Sequence, residues 1–136
     1  MSDEESYELL GFDNVLLPVG DLAEAVAFYE RAGFTVGFRF DEAGIALLKV
    51  GAETPGLLLR AEEELRHRSP AWPSPRIWLE VPDARVAARE LAAAGIPPLD
   101  EVFQGATGWT VEVADPWGNV LGFTDYTKRP ALGRRS

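Results

Sequence analysis

The chain contains no cysteine, which excludes disulfides, thiolate metal sites and cysteine nucleophiles. Histidine is nearly absent as well. His67 is the single imidazole, so no site within one chain can use the two or three His ligands of common catalytic zinc centres. No apolar run approaches the roughly 20 residues of a membrane-spanning helix, and no membrane association is expected. Positive charge is in the minority: 13 Lys and Arg stand against 22 Asp and Glu, for a formal net charge of -9. Such a chain repels polyanions, so no nucleic-acid partner is expected. The opening residues, MSDEESYELL, lack the basic start and apolar core of a secretory signal. The location expected on that ground is cytoplasmic.

What is present is an ordinary globular balance, 46% hydrophobic and 26% charged over 136 residues. That length suits one domain, or two small halves sharing a core. The halves are visible as a repeat. Asp21 opens DLAEAVAFYERAGF and Asp83 opens DARVAARELAAAGI; each segment closes on glycine, Gly33 and Gly95, and both pairs lie 62 positions apart. The strand-like stretches NVLLPV (14–19) and RIWLEV (76–81) precede them at the same shift. A fixed internal period marks duplicated units.

Each unit reads as a strand, a helix and three further strands. In the first helix Asp21 is the N-cap and Glu24 completes a capping-box pattern. Leu22, Ala25, Val26 and Tyr29 recur at helical spacing and form one apolar face. Ala84, Ala87, Ala88 and Leu91 form the matching face of the second helix, where Val86 stands in place of the capping acid. The small alanines predict close approach to a sheet. Strands are expected at 35–40, 45–50 and 56–61, then at 98–104, 109–114 and 119–126, with Gly, Pro and Asp marking the turns between them. The pattern predicts an α+β fold of two tandem βαβββ modules. Module one covers 10–61, a connector 62–75 and module two 76–126, giving one domain over 10–126 with flexible termini at 1–9 and 127–136.

Three stretches carry a resemblance: NVLLPVGDLAEAVAFYERAGF, RIWLEVPD and ADPWGNVLGF. In combination, over about residues 12–126, they resemble the vicinal oxygen chelate superfamily of glyoxalases, bleomycin resistance proteins and extradiol dioxygenases. The resemblance implies that the modules form a curled mixed sheet around a cleft, and that the protein is a homodimer. Metalloenzymes of that family place His, Gln or Glu on the first and last strands of the modules. The matching positions here are Asn14, Arg76 and Gly122, with Arg60 opposite Gly122 by the 62-residue shift. Arginine is cationic with no lone pair to donate, and glycine has no side chain. No metal and no cofactor are therefore expected, and His67 lies in the connector.

Strand alternation then sorts the faces. If Asn14 and Arg76 look into the cleft, so do Leu16, Pro18, Trp78 and Glu80. Thr110, Glu112, Gly122 and Thr124 join them, while Ile77, Leu79, Val111 and Val113 turn to the helices. The expected ligand-binding set is Asn14, Arg60, Arg76, Trp78, Glu80, Glu112 and Thr124. Trp78 would stack on a flat ligand, Arg76 or Arg60 would clamp a carboxylate or polarised carbonyl, and Gly122 would leave room. Each also has a plainer role: Arg76 paired with a neighbouring carboxylate, Glu80 and Glu112 solvated, and Trp72, Trp109 and Trp117 covering a cleft mouth or a dimer surface. The leading expectation is a metal-independent protein that binds and sequesters a small drug-like or metabolite ligand. One alternative is a glyoxalase-like lyase, isomerase or dioxygenase, with Glu80 or Glu112 as the catalytic base or with an atypical metal site. Another is a paralogue that pairs with a second protein.

Overall fold

Both repeats fold along the lines their periodicity dictates. The computed structural model describes residues 7–70 and 74–134. Module one contains β1 (Val15–Val19), α1 (Leu22–Arg31), β2 (Thr35–Phe40), β3 (Ile45–Val50) and β4 (Glu53–Ala61). Module two contains β5 (Ile77–Glu80), α2 (Ala84–Ala93), β6 (Phe103–Gln104), β7 (Trp109–Ala114) and β8 (Val120–Thr124). Each module makes its own four-stranded sheet, in the orders β1-β4-β3-β2 and β5-β8-β7-β6. In both, the opening strand runs parallel to the last one and every other pairing is antiparallel. Among the described residues no helix is long and apolar enough to cross a membrane.

Several boundaries depart from expectation, and β8, expected over 119–126, spans only Val120–Thr124. The strand anticipated over 98–104 shrinks to β6, because Pro97 and Pro98 supply no amide hydrogen to a ladder. The segment still docks on the sheet, since Leu99 N–H donates to the Glu112 carbonyl at 2.8 Å. β4 starts earlier than anticipated, with Glu53 paired to Val50 across a tight turn.

The helix ends follow local chemistry. The Asp21 carboxylate accepts from Glu24 N–H at 2.8 Å and caps α1. The Glu24 side chain turns to His67 instead, at 2.8 Å. Asp83 caps α2 through Arg85 N–H at 2.9 Å. Gly33 and Gly95 take positive φ, 103° and 85°, and end their helices.

One apolar core joins the modules. Val19, Ala25, Tyr29, Leu48 and Leu59 supply it from module one, and Ala84, Leu91, Val111, Val113 and Leu121 from module two. The alternation along each strand places these side chains on the helix side and leaves the other sheet face free. Leu17 is buried while Leu16 beside it is exposed. The connector is tied at both ends: Glu62 N–H donates to Val19 and Arg68 N–H to Pro116, and Arg68 Nε donates to the Trp117 carbonyl at 3.0 Å. Ahead of β1, the side chains of Tyr7, Leu9, Leu10 and Phe12 are 85–89% exposed. Beyond β8 the chain makes a short 3-10 turn at Pro130–Leu132.

Candidate functional site

The free face of the module-two sheet collects most of the residues singled out above. β8 lies between β5 and β7, and its register sets Gly122 beside Trp78 on one side and Glu112 on the other. Gly122 has no side chain, so its two neighbours meet across it. Trp78 Nε1 donates to Glu112 Oε2 at 2.8 Å. Arg76 Nη1 donates to Glu112 Oε1 at 2.6 Å, a charge-assisted bond between strands that are not adjacent. A Cβ at position 122 would lie 2.4 Å from Trp78 Cδ1 and 2.6 Å from its Nε1. The space expected to be open above Gly122 is thus filled by the indole. The glycine is required there because the ring lies on the backbone.

Trp78 keeps 49% of its surface exposed. Its ring tilts toward Phe103 with centroids 6.2 Å apart, and the two make an aromatic shelf. Thr110 and Thr124 share a hydroxyl–hydroxyl bond of 2.8 Å in the next row of the same face. Glu80 sits beside Thr124 in register. Its carboxylate accepts from both the backbone N–H and the guanidinium of Arg134, each at 2.8 Å. Those bonds from Arg134, the side-chain one first, hold the Glu80 carboxyl below its ordinary range. Both carboxylates considered as bases are therefore engaged by donors.

The corresponding face of module one is built differently. Strand register pairs Leu16 with Leu58 and Leu58 with Leu47, where module two has Trp78, Gly122 and Glu112. The counterpart of Gly122 is accordingly Leu58, not Arg60, because the turns of the two modules differ in length. Arg60 instead approaches Glu62 at 3.6 Å on the exposed surface. Asn14 Oδ1 accepts from Gly56 N–H at 3.1 Å and closes the start of β4. The structure thus brings together Arg76, Trp78 and Glu112, sets Glu80 and Thr124 beside them, and leaves Asn14 bonded within module one and Arg60 beside Glu62 of the connector.

The family's metal positions can be tested on this donor set. The Asn14 carbonyl oxygen is taken by a backbone donor, Arg76 carries a positive charge, and the Gly122 seat lies under an indole. These groups do not fit a divalent cation. Among the described residues no group of three or more His, Cys, Asp or Glu could hold one.

Two tryptophans expected at a cleft mouth lie elsewhere. Trp117 is buried in the core, and Trp109 is half-buried beneath the Arg85 guanidinium, 5.0 Å from its ring centroid. Trp72 falls outside the described residues. Sequence reasoning missed Phe103 and Arg134, which lie far from the family's motif positions. It also missed two buried polar groups. The Tyr29 hydroxyl donates to Asp115 at 2.7 Å, and burial, reinforced by the Asp115 charge, pushes its pKa up beyond the ordinary phenol range. Asp125 accepts from Ala84 N–H, Trp109 N–H and Thr127 N–H, and from the Thr127 hydroxyl. Burial alone would raise its pKa, but the backbone donors outweigh burial and hold it below the usual value.

Two modules of βαβββ in tandem, with helices on one side of the sheets, define a glyoxalase-type fold. A model of the Glyoxalase/Bleomycin resistance protein/Dioxygenase superfamily matches residues 11–123, and the chain belongs to that superfamily. It is similar to a glyoxalase/bleomycin resistance protein/dioxygenase from Nocardioides, with TM-score 0.70 at 16% identity, covering 98% of this chain and 95% of that one. The bleomycin resistance determinant encoded on the transposon Tn5 is similar at TM-score 0.67 and 24% identity, covering 86% and 98%. Lactoylglutathione lyase from Agrobacterium tumefaciens is similar at TM-score 0.66 and 19% identity, covering 91% and 99%. At these identities the likeness concerns the fold. No curated protein matches the chain.

Proposed function

We propose that the chain is a metal-independent small-molecule-binding member of its superfamily, which sequesters a flat, largely apolar ligand on the Trp78–Phe103 shelf. The observation that carries this reading is the indole of Trp78 lying over Gly122 and bonded to Glu112. A side chain that fills a metal-ligand seat with a π-face supports stacking rather than coordination. The Arg76–Glu112 pair beside it supplies polar groups of both signs to orient a ligand. The engagement of Glu80 by Arg134 and of Glu112 by two donors supports binding over proton transfer, since a carboxylate already occupied by donors is a poor base, and the Glu80 carboxyl is also held below its ordinary range. The resistance protein from Tn5 makes bleomycin a reasonable first probe.

The free faces also favour a second copy of the chain as a cover. Leu16, Phe38 and Phe40 remain exposed on module one, and Trp78 and Phe103 on module two. A two-fold homodimer would shield these side chains and deepen the shelf into a cleft.

The test is a thermal-shift series with metal-free bleomycin and a panel of planar aromatic compounds, with and without a chelator. A binder raises the Tm of the wild type by mass action whether or not chelator is present. Trp78→Ala abolishes that rise. A stoichiometric metal in the purified protein, or a Tm rise that needs added Ni²⁺, Zn²⁺ or Fe²⁺, would overturn the proposal. Sedimentation at several concentrations tests the dimer.

A further inference from the structure

The duplication gives the molecule two related seams, in each of which the helix of one module meets the last strand turn of the other. In the first, Tyr29 of α1 reaches Asp115 in the β7–β8 turn, and Trp117 of that turn is fully buried beside it. In the second, the position matching Tyr29 is Leu91 on α2. The facing β3–β4 turn offers only small residues, Gly51 and Ala52. Phe34 and Phe123 border this second seam, 6.4 Å apart between ring centroids, but among the described residues no aromatic from the facing turn fills it as Trp117 fills the first. A cavity of about 530 Å³ remains there, bordered by Leu79 and Val81 on the helix side of β5 and reaching Glu80 between them, without Trp78 in its lining. That volume is within the range of small-ligand sites, about 300–1,000 Å³.

The lining divides by chemistry. Phe34, Leu79, Val81 and Leu91 give apolar walls, while Arg31 and Lys49 of module one lie on the rim. Arg31 stands in the last turn of α1 and Lys49 pairs across the ladder with Thr35, which also lines the cavity. Neither cation has an ion-pair partner among the described residues. The Arg31 guanidinium lies over the Phe28 ring, 5.6 Å from its centroid, a contact that leaves its charge unpaired by a carboxylate. In a chain of net charge -9, these two cations beside apolar walls form a local site for an anion. Glu80 of β5 and Glu90 of α2 also border it; the Glu80 carboxylate is engaged by Arg134, and Glu90 disfavours the anionic group on its wall.

We propose that this cavity binds a small monocarboxylate with an apolar body, of the aryl- or branched-alkyl-carboxylic acid class. The carboxylate lies at Arg31 and Lys49, and the body lies among Phe34, Leu79, Val81 and Leu91. The site is separate from the Trp78 shelf, because Leu79 and Val81 project from β5 and its end to the opposite side from Trp78.

The experiment is methyl-detected NMR on the full chain, titrated with 4-phenylbutyrate and with its neutral amide. The acid shifts the methyls of Leu79, Val81 and Leu91 saturably and leaves the Trp78 indole N–H in place. The amide binds about tenfold more weakly, and Arg31→Gln brings acid and amide to near-equality. Leu91→Tyr, which supplies the plug present in the first seam, abolishes binding; if that variant fails to fold, Ala87→Leu serves as the filler. The inference is overturned if the methyls do not respond at millimolar acid. It is also overturned if acid and amide bind alike, or if the Trp78 resonance moves in their place. That last outcome leaves the shelf proposal standing, whereas failure of the shelf with Trp78→Ala leaves this cavity untouched.

Discussion

Tyr29 and Leu91 hold the same place in the two repeats, 62 positions apart, and behave differently. Tyr29 crosses to the other module, buries its ring and hands its hydroxyl to Asp115. Leu91 is buried too, yet it borders an unfilled cavity. The free sheet faces diverge in the same way. One carries the aliphatic row Leu16, Leu58 and Leu47; the other carries Trp78, bare Gly122 and Glu112. A duplicated backbone needs its full set of bonds only once to join the halves. The other copy of each feature is then released from that structural role.

The largest expected difference between the seams comes from removing their anchors. Trp117→Ala opens a void in a closed seam and costs about 3–5 kcal/mol, whereas Leu91→Ala enlarges an existing void and costs about 2 kcal/mol. Urea unfolding of both variants ranks them, and a reversed order would mean that the second seam is the tighter one.

Next comes Asp125, whose counterpart by strand register is Ala61. Asp125→Ala makes module two imitate module one at this place and strands several backbone donors, for a loss of about 2–3 kcal/mol. The carboxyl pKa is lowered in the folded state, so the unfolded chain binds more protons and stability rises with pH. The contribution is complete above the unfolded value of about 3.9 and fades as pH falls through the lower folded value. Wild type should lose stability in that acidic window relative to neutral pH, and the alanine variant should lack this component of the loss.

A smaller effect is expected at Gly122. Gly122→Ala displaces a half-exposed indole at a cost of about 1–2 kcal/mol, and it removes the Trp78–Glu112 bond, visible as a changed Trp78 indole N–H resonance. An unchanged resonance would show that the ring does not rest on the glycine. The smallest effect belongs to Arg134→Ala. The Arg134 side chain is exposed, and the backbone N–H at 134 still donates to Glu80 in the variant, so no measurable change in Tm is expected. NMR titration should find the Glu80 carboxyl moved back up toward its ordinary range.

Much of this was legible in the chain. Helix caps at Asp21 and Asp83, stops at Gly33 and Gly95, and the strands at 35–40, 45–50 and 109–114 follow from residue type and spacing. Alternation sorted Val111 and Val113 to the core and Glu112 to the free face. The pairing partners were less accessible. That Glu112 would reach past β8 to Arg76 and Trp78 depends on strand order and on a glycine between them, neither of which a local pattern encodes. The shift that placed Arg60 opposite Gly122 failed because the turns differ in length between the repeats. Arg134 escaped notice because a terminal arginine carries no periodic signal, and its bond to Glu80 is settled by the path of the chain after β8.

The connector has a topological consequence. Residues 62–68 are bonded to Val19 at one end and to Pro116 and Trp117 at the other, and His67 touches Glu24 and the edge of Trp117. The grip of one half on the other is thus carried by the first polypeptide up to Arg68, without help from covalent continuity beyond it. A chain severed after Pro70 would leave every one of these bonds available, so two separately expressed fragments should recombine on mixing into the same structure.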